Sequence, residues 1–273
     1  MKHELRLFLV AMQFLTRVPA PRWVGFDPAW LRSCLRHFPL VGACVGLWSA
    51  AALHAALWFW PPLVASVLSL AATVWLTGAL HEDGLADTVD ALGGAAAREQ
   101  ALAIMKDSRI GSYGAVALVL ACLLKVATVS ALATHTSQGE IGWAAAALVW
   151  SHIVSRAAPA WVVSTLSYAG SVEASKARPL AETVGSRGFW IGMGWVALTS
   201  TALFASVAGA QRGQAFWAVS SALVACAATT ACCVRWLRRR LGGYTGDTLG
   251  ATQQLVELTS LLAWLAVTGA HRG

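Results

Sequence analysis

FPLVGACVGLWSAAALHAALWFWPPLVASVLSLAATVWLTGAL, residues 38–80, contains no Asp, Glu, Lys or Arg and is interrupted by Pro61-Pro62. Each half approaches the ~20 apolar residues that a membrane-spanning helix needs. The stretch therefore reads as one span, Phe38–Trp60, a proline turn, and a returning span, Leu63–Leu80. The whole chain has the same character. Its 273 residues are 57% hydrophobic and 12% charged, with mean hydropathy +0.61, whereas a soluble domain is about 25% charged. Five further runs of this kind follow: Ile110–Ala133, Ile141–Tyr168, Phe189–Ala208, Ala215–Val234 and Thr248–Val267. The expectation is an all-α, polytopic membrane helix bundle of about seven transmembrane helices in one domain, residues 1–273.

Positive charge predicts the orientation. With the N-terminus in the cytoplasm, the inside segments hold Lys2, Arg6, Arg17, Arg22, Arg32 and Arg36, then Arg98, Lys106 and Arg109, then Lys176, Arg178 and Arg187, then Arg235, Arg238, Arg239 and Arg240. Only Arg212 and Arg272 fall outside, a strong positive-inside bias. The net charge of +7 is then explained by topology and anionic headgroups, and no nucleic-acid binding is read from it. Residues 1–37 form a cytoplasmic N-terminal segment whose run Leu5–Leu15 reads as an interfacial amphipathic helix; Gln13 and Arg17 argue against a signal peptide. The six cysteines show no CxxC pair, which implies neither zinc nor a disulfide framework.

The second span delivers the chain to HEDGLADTVDALGGAAAREQALAIMKDSRIGSYG, residues 81–114, which gathers Glu82, Asp83, Asp87, Asp90, Glu99 and Asp107 of the thirteen acids. On a helix, Asp83, Asp87 and Asp90 stand at i, i+4 and i+7, within about 60° of one another. Like charges on one face repel unless a cation neutralises them, and an all-oxygen donor set suits Mg²⁺ or Mn²⁺. Further on, Lys106 and Arg109 with Ser108, Gly111, Ser112 and Gly114 open the third span. Cations beside the glycine-rich start of a helix make a phosphate cradle. Residues 81–109 thus read as the cytoplasmic catalytic segment; Asp107 could instead cap the third span.

A second chemical stretch is RWLRRRLGGYTGDTLGATQQLVE, residues 235–257. Its arginines have an alternative explanation in membrane anchoring, but the cytoplasmic glycine-rich loop at 235–247 sets Thr245, Gly246 and Asp247 at the start of a helix. Within the spans, Lys125, His152, Arg156 and Glu257 are costly, at roughly 2.5–3.5 kcal/mol for a charged residue at the helix centre. Either an interior ion pair with Glu257 or a carboxylate of the central helix, or a contact to substrate, would account for them.

Metal-binding carboxylates, phosphate-binding cations and a second glycine turn with one more Asp, all on one membrane face, suit transfer of a phosphoryl group from an activated diphosphate. The acidic spacing also occurs in phosphotransferases acting on CDP-alcohols and in aspartate-rich prenyl-diphosphate sites. A secondary transporter with Lys125, Arg156 and Glu257 lining its path is the alternative from another class. The polar clusters at one face and the lack of an internal repeat weigh against it.

FLTRVPAP (14–21), FPLVGACVG (38–46), GALHEDGLADTVDALGG (78–94), IMKDSRIGSYG (104–114) and GGYTGDTLGATQQLVE (242–257) resemble, in order, the bacterial cobalamin synthase family. Ala91 departs from the family pattern, where glycine is common, without removing a ligand. The resemblance implies a transferase of the inner membrane, with its active site facing the cytoplasm. It would join adenosylcobinamide-GDP to α-ribazole or its 5′-phosphate and release GMP, with Mg²⁺ as cofactor. Asp83, Asp87 and Asp90 would hold the metal, with Glu82, about 100° round the helix, as a fourth ligand or a carboxylate that supports the ligands from behind. Lys106, Ser108, Arg109, Gly111, Thr245 and Gly246 would bind phosphate, and Asp247 would complete the site or orient the nucleophile. Asp90, Asp87 and His81 are the candidates for general base; His81 could equally be an interfacial residue without a catalytic part. Membrane lipid is the expected surrounding, and a homo-oligomer is left open.

Overall fold

The computed structural model describes residues 2–25, 27–134, 142–170, 186–206 and 211–269. Among these residues there are eleven α-helices: α1 (Lys2–Leu15), α2 (Pro28–Ser33), α3 (Phe38–Leu57), α4 (Pro62–Thr77), α5 (Leu80–Leu92), α6 (Arg98–Ile104), α7 (Ser112–Thr134), α8 (Trp143–Thr165), α9 (Ser186–Ser206), α10 (Gln211–Arg240) and α11 (Gly246–Gly269). Apart from helices, the described residues hold one isolated bridge, Tyr168 to Tyr244. Most of the basic loop expected at 170–188, with Lys176 and Arg178, lies outside the described residues.

Each of the seven apolar runs forms a helix: α3, α4 and α7 to α11. By length and apolarity, four of the described helices qualify to cross a membrane, or five if α4 and α5 count as one broken span. That is fewer than the seven expected, and α8 and α11 account for two of the difference. Ser151, His152, Ser155 and Arg156 on α8, and Gln253, Gln254 and Glu257 on α11, lower their apolarity, and all seven side chains are buried. Interior helices are shielded by their neighbours and need not be apolar throughout. The outer helices show the converse: α7 exposes Val116, Val119, Leu120, Leu123 and Leu124, and α4 exposes Leu63, Val64, Val67 and Leu68, which suits contact with lipid.

α8 is buried along most of its length and forms the centre of the bundle. Gly42 and Gly46 on α3 face its backbone. A Cβ at Gly46 would lie 2.6 Å from Val149 Cα, and one at Gly42 would lie 2.9 Å from Ile153 Cα. Small residues one turn apart thus let α3 and α8 pack backbone to backbone. At one end of the bundle α1 buries Leu7, Ala11 and Leu15, one residue per turn. Glu4 ties it to Arg36 Nη1 (3.3 Å) and His37 Nε2 (2.9 Å).

α4 ends in an elbow. Gly78 (φ 67°) and Ala79 (φ 59°) are both left-handed, and the Ala79 amide donates back to Val74 O at 3.0 Å, closing the helix in a Schellman arrangement. α5 leaves at 90° to α4. If α4 crosses the bilayer, α5 runs along the membrane plane, outside the spans.

Candidate active site

α5 carries LHEDGLADTVDAL, and its helical register puts Asp83, Asp87 and Asp90 on one face as expected. What brings a partner to that face is glycine. Gly84 lies against the first turn of α11: a Cβ there would stand 2.7 Å from Asp247 O and 3.2 Å from Gly250 Cα. Bare backbone on both helices lets them touch, and the contact carries Asp247 to the carboxylate face. Burial, then the charges of Asp83, Asp247 and Asp90, push the Asp87 carboxyl up to about 6. Four carboxylates separated by up to 164 positions in sequence therefore act on one another.

The start of α11 is built by its own threonines. Thr245 Oγ1 accepts from the Thr248 amide (3.3 Å), and Thr248 Oγ1 accepts from the Thr245 amide (2.9 Å), a reciprocal cap that fixes the first turn. Thr245 is buried and also donates to Met105 Sδ at 3.6 Å. This contact joins the loop before Lys106 to the Gly242–Asp247 turn. Gly246 opens the helix.

The residues expected to receive phosphate are placed differently from one another. Asp90 accepts from the amides of Gly111 (2.7 Å) and Gly114 (2.8 Å), so this carboxylate, and not Asp107, caps α7. The helix start read as a phosphate cradle is engaged by a side chain of α5. Asp107 pairs with Arg109, whose Nε lies 3.0 Å from Oδ1. Lys106 and Ser108 are exposed in the same loop.

His81 and Glu82 point elsewhere. His81 is 5% exposed, and burial, followed by the charge of Arg156, holds its imidazole well below the ordinary histidine range. Glu82 Oε1 accepts from Gln254 Nε2 on α11 at 3.0 Å. Beyond Gln254 lies the interior pair expected for Glu257: Lys125 Nζ reaches Glu257 Oε1 at 2.6 Å and Gln254 Oε1 at 2.7 Å.

A match to the family model described as cobalamin-5-phosphate synthase extends over residues 7–265. The chain belongs to that family. A protein of Leptothrix cholodnii named adenosylcobinamide-GDP ribazoletransferase is 51% identical over 97% of this chain and 96% of its own. Proteins of the same name from Polaromonas naphthalenivorans and Shewanella amazonensis are 42% and 41% identical, each over 97% of this chain and over 98% and 96% of their own. No solved structure matches.

In this cobalamin-5-phosphate synthase family member the donor set is all carboxylate oxygen, which fits a hard divalent cation. Burial first, and then the neighbouring carboxylates, disfavour the charged form of Asp87. No three described His, Cys, Asp or Glu side chains stand close enough to hold a metal ion as they are.

Three contacts around the carboxylate helix were not legible in the sequence. Arg240 donates to Leu92 O (3.1 Å) and Gly94 O (2.8 Å), capping the C-terminal end of α5, where a cation suits the helix dipole. Arg98 donates to Leu241 O at 2.7 Å. Gln254 touches both Glu82 and Lys125. The arginines had a sufficient reading as membrane anchors, and the QQ pair offered no chemical signal of its own.

Proposed function

We propose that this protein is an adenosylcobinamide-GDP ribazoletransferase that joins adenosylcobinamide-GDP to α-ribazole or its 5′-phosphate and releases GMP. The observation that carries the reading is near full-length likeness to proteins of that name, at 51% identity over 97% of the chain. A ribose hydroxyl of the α-ribazole attacks the phosphorus linked to cobinamide. The bond from that phosphorus to the bridging oxygen breaks, and its electron pair leaves with GMP. The hydroxyl proton goes to a base. Of the three candidates, Asp87 is favoured: Asp90 is engaged by two amides, and His81 is buried.

Asp83, Asp87, Asp90 and Asp247 would supply the oxygens for Mg²⁺, which when bound offsets the charge of the diphosphate. Arg109 and Lys106 would take phosphate charge. Arg109 is available for this because an ion pair as exposed as its pair with Asp107 contributes little. Thr245 and Gly246 shape the turn that holds Asp247. The orientation belongs to the same proposal: the excess of Lys and Arg in the loops supports an N-terminus and a site on the cytoplasmic side of the inner membrane.

The test uses the purified protein in detergent with adenosylcobinamide-GDP, α-ribazole 5′-phosphate and Mg²⁺. Mass spectrometry should find GMP and the joined cobalamin 5′-phosphate in equal amounts, and EDTA should stop both. GMP release without the joined product, or turnover that EDTA leaves intact, would refute the transfer or the metal respectively.

A further inference from the structure

The bundle interior holds a charged network to which the proposed transfer assigns no direct part. Glu257 Oε2 accepts from Gln253 Nε2 (2.6 Å) and meets His152 Nδ1 (3.0 Å) and Arg156 Nη1 (3.8 Å). Gln253 Nε2 also reaches Ser155 Oγ at 3.0 Å. Lys125 bonds Glu257 with one hydrogen and Gln254 Oε1 with another. The Gln254 amide nitrogen then donates to Glu82 Oε1 on the carboxylate helix. Lys125, Gln254, Glu257 and Arg156 are each 5% exposed or less.

Glu82 joins the network from α5 by its bond with Gln254, and His81 of the same helix lies within reach of the charges of Arg156, Glu257, Lys125 and His152. With both histidines neutral, two cations (Lys125, Arg156) stand against two anions (Glu257, Glu82), so Glu82 balances the buried charge. Its Oε2 is buried without a hydrogen-bond partner, as is Arg156 Nε. The side chain is turned to the interior of the bundle, while Asp83 and Asp87 lie on the face shared with Asp247. A carboxylate cannot serve both sides of the helix at once.

We propose that Glu82 is a positioning residue rather than a ligand of the metal. Through Gln254, the Lys125–Glu257 pair fixes the rotation of α5 about its own axis and so the aim of Asp83 and Asp87. This rests on the reading of the Asp face as the metal and diphosphate site. Changing groups that orient a metal site without touching the ion typically costs about 10–100-fold in activity or affinity.

The experiment compares E82Q, Q254L, the swap E82Q/Q254E and D87N in detergent. Three readouts are taken: Mn²⁺ binding without substrate by electron paramagnetic resonance, amide hydrogen exchange across α5, and kcat against KM. E82Q and Q254L should raise exchange in α5 and lower kcat by about tenfold, with Mn²⁺ stoichiometry unchanged and affinity within about threefold. The swap restores a donor at position 82, an acceptor at position 254 for it and for Lys125, and the buried charge balance. It should return α5 protection and most of kcat, which also answers the objection that a single variant has misfolded. If E82Q loses a bound Mn²⁺, or the swap is as impaired as E82Q alone, the positioning role is overturned. Failure of the metal reading shows separately, as unaltered Mn²⁺ binding in D87N.

Discussion

Asp87 has to be ionised either to hold a cation or to accept a proton, and in the free protein its acid is held up at about 6. An acid whose folded value lies above its ordinary value of 3.8 contributes stability that is complete below the ordinary value and is lost as pH rises through the folded one. Thermal melting should therefore show a larger stabilisation by Mg²⁺ at pH 7.5 than at pH 5, because only the ionised cluster has repulsion for the ion to relieve. At limiting Mg²⁺, turnover should decline on the acid side of about 6, where protons compete with the ion for Asp87. D87N should lower it by about 10²-fold or more and remove that limb of the pH profile; an unchanged acid limb would assign the titration to another group. At Lys125 the prediction concerns folding. K125M leaves Glu257 short of a buried partner, a change that costs about 3–5 kcal/mol, and K125M/E257Q removes both charges together. Membrane yield and melting temperature should be worse for the single variant than for the double. The reverse order would mean that the pair does not act as a unit.

At the scale of elements, the site depends on the contact between α5 and α11. Gly84→Ala places a methyl group 2.7 Å from a backbone oxygen that cannot rotate away. Gly94→Ala, where nothing lies within 4 Å, serves as the control. G84A should reduce turnover by at least about tenfold by separating Asp247 from Asp83, in line with the cost of small misplacements at a reacting centre; G94A should not. Equal activities would show that the two helices can part without loss. Much of this level was legible in advance. The apolar runs marked every long helix, the i, i+4, i+7 spacing marked the carboxylate face, and the mid-span position of Glu257 called for a cation, which Lys125 supplies. The illegible part consists of contacts between distant polar groups and backbone. Spacing alone puts Asp90 on the carboxylate face, but nothing local shows that two amides more than twenty residues on will also meet its oxygens. Gln254 was passed over for the same reason.

For the whole molecule, the elbow between α4 and α5 has a consequence for the bilayer. α4 has 16 residues, so it is about 24 Å long at 1.5 Å per residue, less than the ~30 Å hydrocarbon core of a typical bilayer. A helix that is too short thins the membrane around it or is drawn inward. Because two left-handed residues join α5 to its end without slack, any inward pull on α4 also moves the carboxylate helix toward the hydrocarbon boundary. If α4 crosses the bilayer, membrane thickness would then bear on catalysis. In proteoliposomes of dimyristoleoyl, dioleoyl and dierucoyl phosphatidylcholine, turnover should fall as the chains lengthen, and the D87N background should show no such trend in its residual rate. A rate indifferent to chain length would mean that α5 floats free of the helix that delivers it. If the trend holds, hydrophobic mismatch gives one physical reason for a membrane anchor on an enzyme whose proposed substrates are water-soluble: lipid thickness would set the depth at which its acids meet the diphosphate.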